Sequence, residues 1–117
     1  MDQQDLVWVR FPFSNLEESK VRPAVIISNN AYNKKKQDVL ICAITSNLEE
    51  EAYSILIDRS NLKSGNLPIK SKIRADKIIL LEKRRIIKAF AMLDDSTFDK
   101  LIDEIIKLAR RHDDKLA

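Results

Sequence analysis

Three short clusters in this chain carry side chains able to do chemistry on a phosphate. The first is Lys20-Val21-Arg22-Pro23, in which a guanidinium stands immediately before a proline. The proline ring pushes Arg22 out of helical dihedrals into an extended conformation. The apolar run Pro23-Ala24-Val25-Ile26-Ile27 that follows reads as a strand buried on both faces, with Pro23 in its first position, where a missing N–H costs the ladder nothing. On the residues alone Arg22 is either a solvated charge flanking a strand or a cation held at the mouth of a core to meet a phosphate. The second cluster, Ala43-Ile44-Thr45-Ser46, ends a buried strand in two hydroxyls. Thr45 either points into a cleft or bonds local backbone. The third is Ser71-Lys72-Ile73-Arg74-Ala75-Asp76-Lys77, where alternation sets Arg74 and Asp76 on one face and Ile73 and Ala75 on the other. Arg74 and Asp76 form a surface ion pair, or hold a charge-neutralising group and a proton acceptor around a phosphate.

The elements that must carry these clusters are short strands followed by one helix. Strands are expected at 6–11, with Val7, Val9 and Phe11 on one face, and at 23–28, 39–45 and 54–58. Phe11-Pro12-Phe13 ends the first strand, and residues 14–20 form a polar loop. A turn through Asn29-Asn30 leads to the basic tip Lys34-Lys35-Lys36. A loop carries the only glycine, Gly65, together with Pro68. Residues 72–81 read as a further strand or pair of strands, and 85–92 as the last one. Phe98, Leu101, Ile102, Ile105, Ile106 and Ala109 follow the spacing of a helix with one apolar face. Asp94, Asp95 and Ser96 are its N-cap candidates, with Ser96 and Asp99 spaced as a capping box. Arg110, Arg111 and His112 suit its negative end. This order implies a mostly β fold: a small, partly open barrel closed by a C-terminal helix.

Composition narrows the chemistry. A chain of 117 residues with 44% apolar and 33% charged content is expected to be one soluble domain, 1–117, around a single core. No apolar run approaches the ~20 residues of a membrane span. Met1-Asp2-Gln3-Gln4-Asp5 is unlike a signal peptide. The lone Cys42 rules out an internal disulfide and reads as a core thiol, and these features together favour the cytoplasm. A net charge of +3 permits a polyanionic partner without arguing for one. With one histidine, at the end of the last helix, a clustered metal site is not expected and a two-histidine nuclease mechanism is excluded. There is no glycine-rich phosphate loop and no G-x-S-x-G elbow.

Asp5-Leu6-Val7-Trp8-Val9, Phe11-Pro12-Phe13, the stretch from Lys20 through Arg22-Pro23 to Ser28-Asn29, Ala43-Ile44-Thr45-Ser46 and Ile73-Arg74-Ala75-Asp76-Lys77 together resemble MazF/PemK-type toxins of type II toxin–antitoxin pairs. The resemblance extends to the Leu93-centred turn into the last helix. It implies an SH3-like barrel with a C-terminal helix and a homodimer. It also implies metal-independent, cofactor-free cleavage of single-stranded RNA (mRNA) at short sequences, leaving 2′,3′-cyclic phosphate and 5′-OH ends. A cognate antitoxin with an acidic, disordered tail is the implied inhibitor. Residue by residue, Arg22 and Thr45 match the catalytic arginine and threonine. Arg74 and Asp76 match an arginine–aspartate pair assigned to catalysis or RNA binding, with Asp76 as the candidate base. Lys20, Ser46, Arg74 and Lys77 become the RNA-binding candidates. The chain departs from the pattern where Gln4 replaces a glycine, where the first loop lacks glycines, at Ala89-Phe90-Ala91-Met92, and at Lys77. The alternatives on the same fold are a CcdB-like gyrase-binding toxin and an RNA-binding module without turnover.

Overall fold

The computed structural model describes residues 1–11 and 20–111. The expected strand end at Pro12-Phe13, the loop residues 14–19 and His112 lie outside them. Seven strands are β1 (Asp5–Phe11), β2 (Lys20–Ile26), β3 (Asp38–Thr45), β4 (Ser54–Ile57), β5 (Leu62–Gly65), β6 (Ser71–Glu82) and β7 (Ile86–Leu93). They form one sheet in the order β4-β6-β3-β2-β1-β7-β5, every neighbouring pair antiparallel. The sheet curls into the partly open barrel expected of the chain, with the helix α2 (Asp95–Ala109) packed on it.

The curled sheet has a core on each face. Val7, Val9, Phe11, Ala24, Ile26, Val39, Ile41, Leu81 and Ile86 pack on one. Leu6, Val25, Cys42, Ile44, Ile73, Ala75 and Leu93 pack on the other, beneath Phe98 and Leu101 of α2. The shared face of Val7, Val9 and Phe11 and the two-sided burial of 24–26 are thus as the residue pattern predicts. Cys42 is buried, and that burial, reinforced by the nearby Asp76 charge, pushes its thiol up to about 12. It is a packed apolar group rather than a nucleophile.

Four local expectations are corrected. Pro23 is the fourth residue of β2, not its first, because β2 continues outward to Lys20 against β1. Asn29 caps a short helix, α1 (Asn30–Lys35), by accepting the Tyr32 N–H, so the basic tip at 34–36 begins inside a helix. The glycine loop contains strand β5, whose Gly65 lies against Phe90 and Ala91 of β7. That close approach, at φ +82°, leaves no room for a Cβ. Of the three N-cap candidates it is Asp94 that caps α2, its Oδ1 accepting the Thr97 N–H at 2.7 Å, so Ser96 lies inside the helix and does not open a capping box with Asp99.

Residues 72–81, left open as one strand or two, form part of a single strand with a large bulge. Ile44 pairs with Ile73 and Cys42 with Ile78, so residues 74–77 stand opposite Ala43 alone. Gln4, in place of the glycine seen in the resemblance, has φ +79°. Its conformation is the one a glycine adopts freely. Here it is held by backbone bonds to Ile26 and Leu93 and by side-chain bonds to Leu93 O (2.9 Å) and Asp95 Oδ1 (3.1 Å).

Candidate nucleic-acid cleft

Proline chemistry opens the site. On the β2–β3 ladder the Ile27 N–H donates to Leu40 O at 2.9 Å, and Val25 pairs with Cys42 two residues further on. Antiparallel ladders exchange hydrogen bonds at every second pair. The next donor on β2 would be residue 23, opposite Ile44, and proline has no N–H to give. The ladder accordingly stops at Ala24↔Ala43, while β2 runs on against β1 through Arg22, Val21 and Lys20. Beyond Ala24 and Ala43 the strands are no longer bonded. Between them lies a cavity of about 750 Å³ whose wall includes Arg22, Pro23, Ala43, Ile44, Thr45 and Ser46.

Strand parity sets what faces what in this gap. Arg22 and Thr45 continue the faces of the paired Ala24 and Ala43, so they extend the same side of the sheet from opposite banks. Arg22 is exposed and Thr45 half-buried at the end of β3. Both readings of Thr45 hold: its Oγ1 accepts the Asn47 N–H at 3.1 Å, and it lines the cavity. With that acceptor site filled by backbone, the hydroxyl hydrogen is left to donate.

The third cluster comes to the cleft through the β6 bulge. Arg74 lies across from Ser54 of β4, and the Ala75 N–H donates to Tyr53 O at 2.9 Å, which secures the bulge. Ile73 and Ala75 are fully buried, so Arg74 and Asp76 share the outward face as alternation predicts. Asp76 takes Arg74 Nε at 3.0 Å and Nη2 at 2.8 Å, a two-point contact. The Arg74 hydrogen bond holds the Asp76 carboxyl below its usual range, and the same bond raises Arg74 further. Arg74 lines the cavity and Asp76 does not. The structure therefore brings together Lys20, Arg22, Thr45, Ser46, Arg74 and Lys77, and leaves Asp76 behind Arg74.

Two groups of lining residues were not picked out from the sequence as parts of a site. Glu51, in the acidic turn after β3, lies 3.2 Å from Lys72 Nζ and 3.7 Å from Arg74 Nε. Lys72 itself is 1% exposed and donates to Glu49 O at 2.8 Å. Alternation places Lys72 on a strand but does not reveal a buried ammonium, since its partners come from a turn more than twenty residues away in sequence. The other group is Trp8 with Phe90, whose rings stack with centroids 4.9 Å apart at 27°. Among the described residues the cavity wall has four cations (Lys20, Arg22, Arg74, Lys77) against one carboxylate, Glu51, together with a face of aromatic and apolar side chains. That balance favours an anion with apolar parts.

A family profile described as "PemK-like, MazF-like toxin of type II toxin-antitoxin system" matches residues 2–109. The chain belongs to this toxin family. No curated protein matches the sequence. Among solved structures, the PemK/MazF-like chain is similar to the toxin of a MazE–MazF complex from Deinococcus radiodurans (TM-score 0.77, 20% identity, 92% of this chain and 94% of that one). It is similar too to an endoribonuclease from a mycobacterial species in complex with its cognate antitoxin (TM-score 0.76, 18% identity, covering 97% and 99%). A third is the Mycobacterium tuberculosis toxin MazF-mt6 (TM-score 0.72, 16% identity, covering 88% and 93%). At these identities the likeness is one of fold. Within this PemK/MazF-like fold, no helix among the described residues is long and apolar enough to cross a membrane.

Proposed function

We propose that this toxin is a metal-independent, sequence-specific endoribonuclease of single-stranded RNA. The observation that carries the reading is the cationic cleft opened at Pro23, with Arg22 and Thr45 on its two banks. In the reaction, the ribose 2′-O–P bond forms and the P–O5′ bond breaks. The 2′-hydroxyl proton leaves and O5′ takes one up. The products are a 2′,3′-cyclic phosphate and a 5′-OH. Negative charge builds on the non-bridging oxygens, where the Arg22 guanidinium makes its strongest contribution. The Thr45 hydroxyl donates to the same group. Lys20, Ser46, Arg74 and Lys77 hold flanking phosphates and sugars. Asp76 has both oxygens engaged by Arg74, a geometry that supports a role in positioning Arg74 rather than as the base.

The fold relatives solved with their antitoxins support a cognate antitoxin as the partner; in this reading its acidic tail competes with RNA for the cleft. A homodimer acting in the cytoplasm completes the reading. The test is to incubate purified protein with mixed RNA in excess EDTA and sequence the cut ends. Cleavage with 5′-OH ends at a short recurring sequence is the expected result. Cleavage only after a divalent ion is added overturns the mechanism, and growth arrest that survives Arg22→Ala favours a gyrase-binding mode instead.

A further inference from the structure

The mechanism above uses the cations of the cleft and leaves its aromatic wall without a task. Trp8 and Phe90 are each partly exposed, and both line the cavity. On the β1–β2 ladder Trp8 is the partner of Pro23, the residue next to Arg22. Pro23 and Trp8 thus share the face of the sheet opposite Arg22, and the aromatic pair and the guanidinium come together only at the cavity between the parted strands, which both line. Leu67, Pro68 and Ile69 extend the same apolar wall, and Ile69 is 62% exposed. The stacked arrangement fixes the plane of each ring against the other. Phe90 is fixed in turn from behind, because glycine at 65 lets β5 close onto the backbone of Phe90 and Ala91. A rigid aromatic face beside a row of cations suits a chain that alternates planar bases with phosphates.

We propose that the Trp8–Phe90 pair is a platform on which one unpaired RNA base stacks within the cavity that Arg22 also lines. The inference rests on the cleft taking single-stranded RNA and adds a base-holding subsite to it. Stacking there positions the backbone at Arg22 without hydrogen bonding any base edge, so the platform tolerates any of the four bases. Sequence selection falls to other parts of the cleft.

Trp8 is the only tryptophan in the chain, so its fluorescence reports the platform directly. The probes are short random-sequence 2′-O-methyl oligoribonucleotides, which cannot undergo 2′-O attack, and an abasic phosphodiester chain of equal length. Binding of each is followed independently by the anisotropy of an end label. The expected result is that the oligoribonucleotides quench Trp8 on binding while the bound abasic chain does not. Trp8→Leu and Phe90→Leu should each weaken oligoribonucleotide binding by about 5- to 100-fold, leave abasic binding unchanged, and be largely rescued by Trp8→Phe at the first position.

Equal quenching by both probes, bound oligoribonucleotide with unchanged fluorescence, or variants that bind like wild type would each overturn the platform. So would quenching by an acidic, apolar-anchored peptide alone, which would assign the aromatic face to a protein partner. If Trp8→Leu does not fold, wild-type quenching and Phe90→Leu decide the matter. Failure to cut mixed RNA, with quenching intact, removes the cleavage reading and leaves the platform standing. Cleavage without quenching does the reverse.

Discussion

The two halves of β2 differ more from each other than either does from its neighbours in space. Ala24, Val25 and Ile26 have no exposed surface and feed both cores; Ala24 and Val25 are paired on both sides, and Ile26 pairs with β3 while its carbonyl accepts the Gln4 N–H. Lys20, Val21 and Arg22 are exposed and, among the described residues, have β1 as their only ladder partner. The boundary between them is Pro23. One strand therefore serves as core and as site, with the buried half anchoring the exposed half. The lesson is that a functional cation needs no loop of its own when a ladder can be made to end beside it.

The largest expected effect lies in the buried half. Ile26→Ala should cost about 2–5 kcal/mol of stability, read as a fall in urea midpoint, with residual activity tracking the folded fraction. If the stability loss is small, the core does not depend on this half of β2. Arg22→Ala should do the opposite: an RNA cleavage rate down about 10²–10³-fold with the urea midpoint unchanged. Arg22→Lys should recover only part of the rate, because an ammonium cannot make the two-point contact. A wild-type rate in Arg22→Ala would remove the site from this strand.

Pro23→Ala sharpens the boundary itself. The new N–H can extend the β2–β3 ladder by one bond towards Ile44, worth about 1 kcal/mol net. The expected outcome is a slightly raised urea midpoint, a newly protected amide at residue 23 in hydrogen exchange, and slower cleavage as the cleft narrows. An unprotected amide would show that something other than the missing donor parts the strands.

The smallest effect concerns Asp76 and acid stability. The Asp76 and Asp94 carboxyls sit below their ordinary range, Asp76 through the Arg74 bond and Asp94 through its bonds to Thr97. A carboxylate lowered in the folded state contributes stability that is present above its unfolded value of about 3.9. That contribution is lost as pH falls through the lower folded value. Urea midpoints should therefore be level from neutral pH to about 5 and decline below about 4. Asp76→Asn should shallow that decline while costing under about 1 kcal/mol at pH 7, since the ion pair is surface-exposed. A decline as steep as wild type would separate Asp76 from the acid response.

Much of this was legible in the chain because it is local. Periodicity located β1, β3, β7 and the long helix, for apolar residues repeat there at the period of the element. The cations, the hydroxyls and the Arg74–Asp76 face were legible from residue type and alternation. The elements that were missed are those whose stability comes from elsewhere. Leu62–Gly65 has little strand character of its own and is a strand because β7 lies against it. Asn30–Lys35 has no apolar stripe to announce a helix, and is fixed by the Asn29 cap and by the Ser28–Asn33 hydrogen bond of 2.5 Å.

What the sequence determined by itself is therefore the set of reactive side chains, the strand-then-helix order and the burial of Cys42, since each follows from residue chemistry over a few neighbours. Tertiary structure alone decided where those side chains meet. The β6 bulge that carries Arg74, the Lys72–Glu51 contact and the Trp8–Phe90 stack all join segments far apart in the chain. Pro23 shows the division in one residue. Its missing N–H is written in the sequence, but it opens a cleft only because the register of β2 on β3 puts that missing donor next in the ladder.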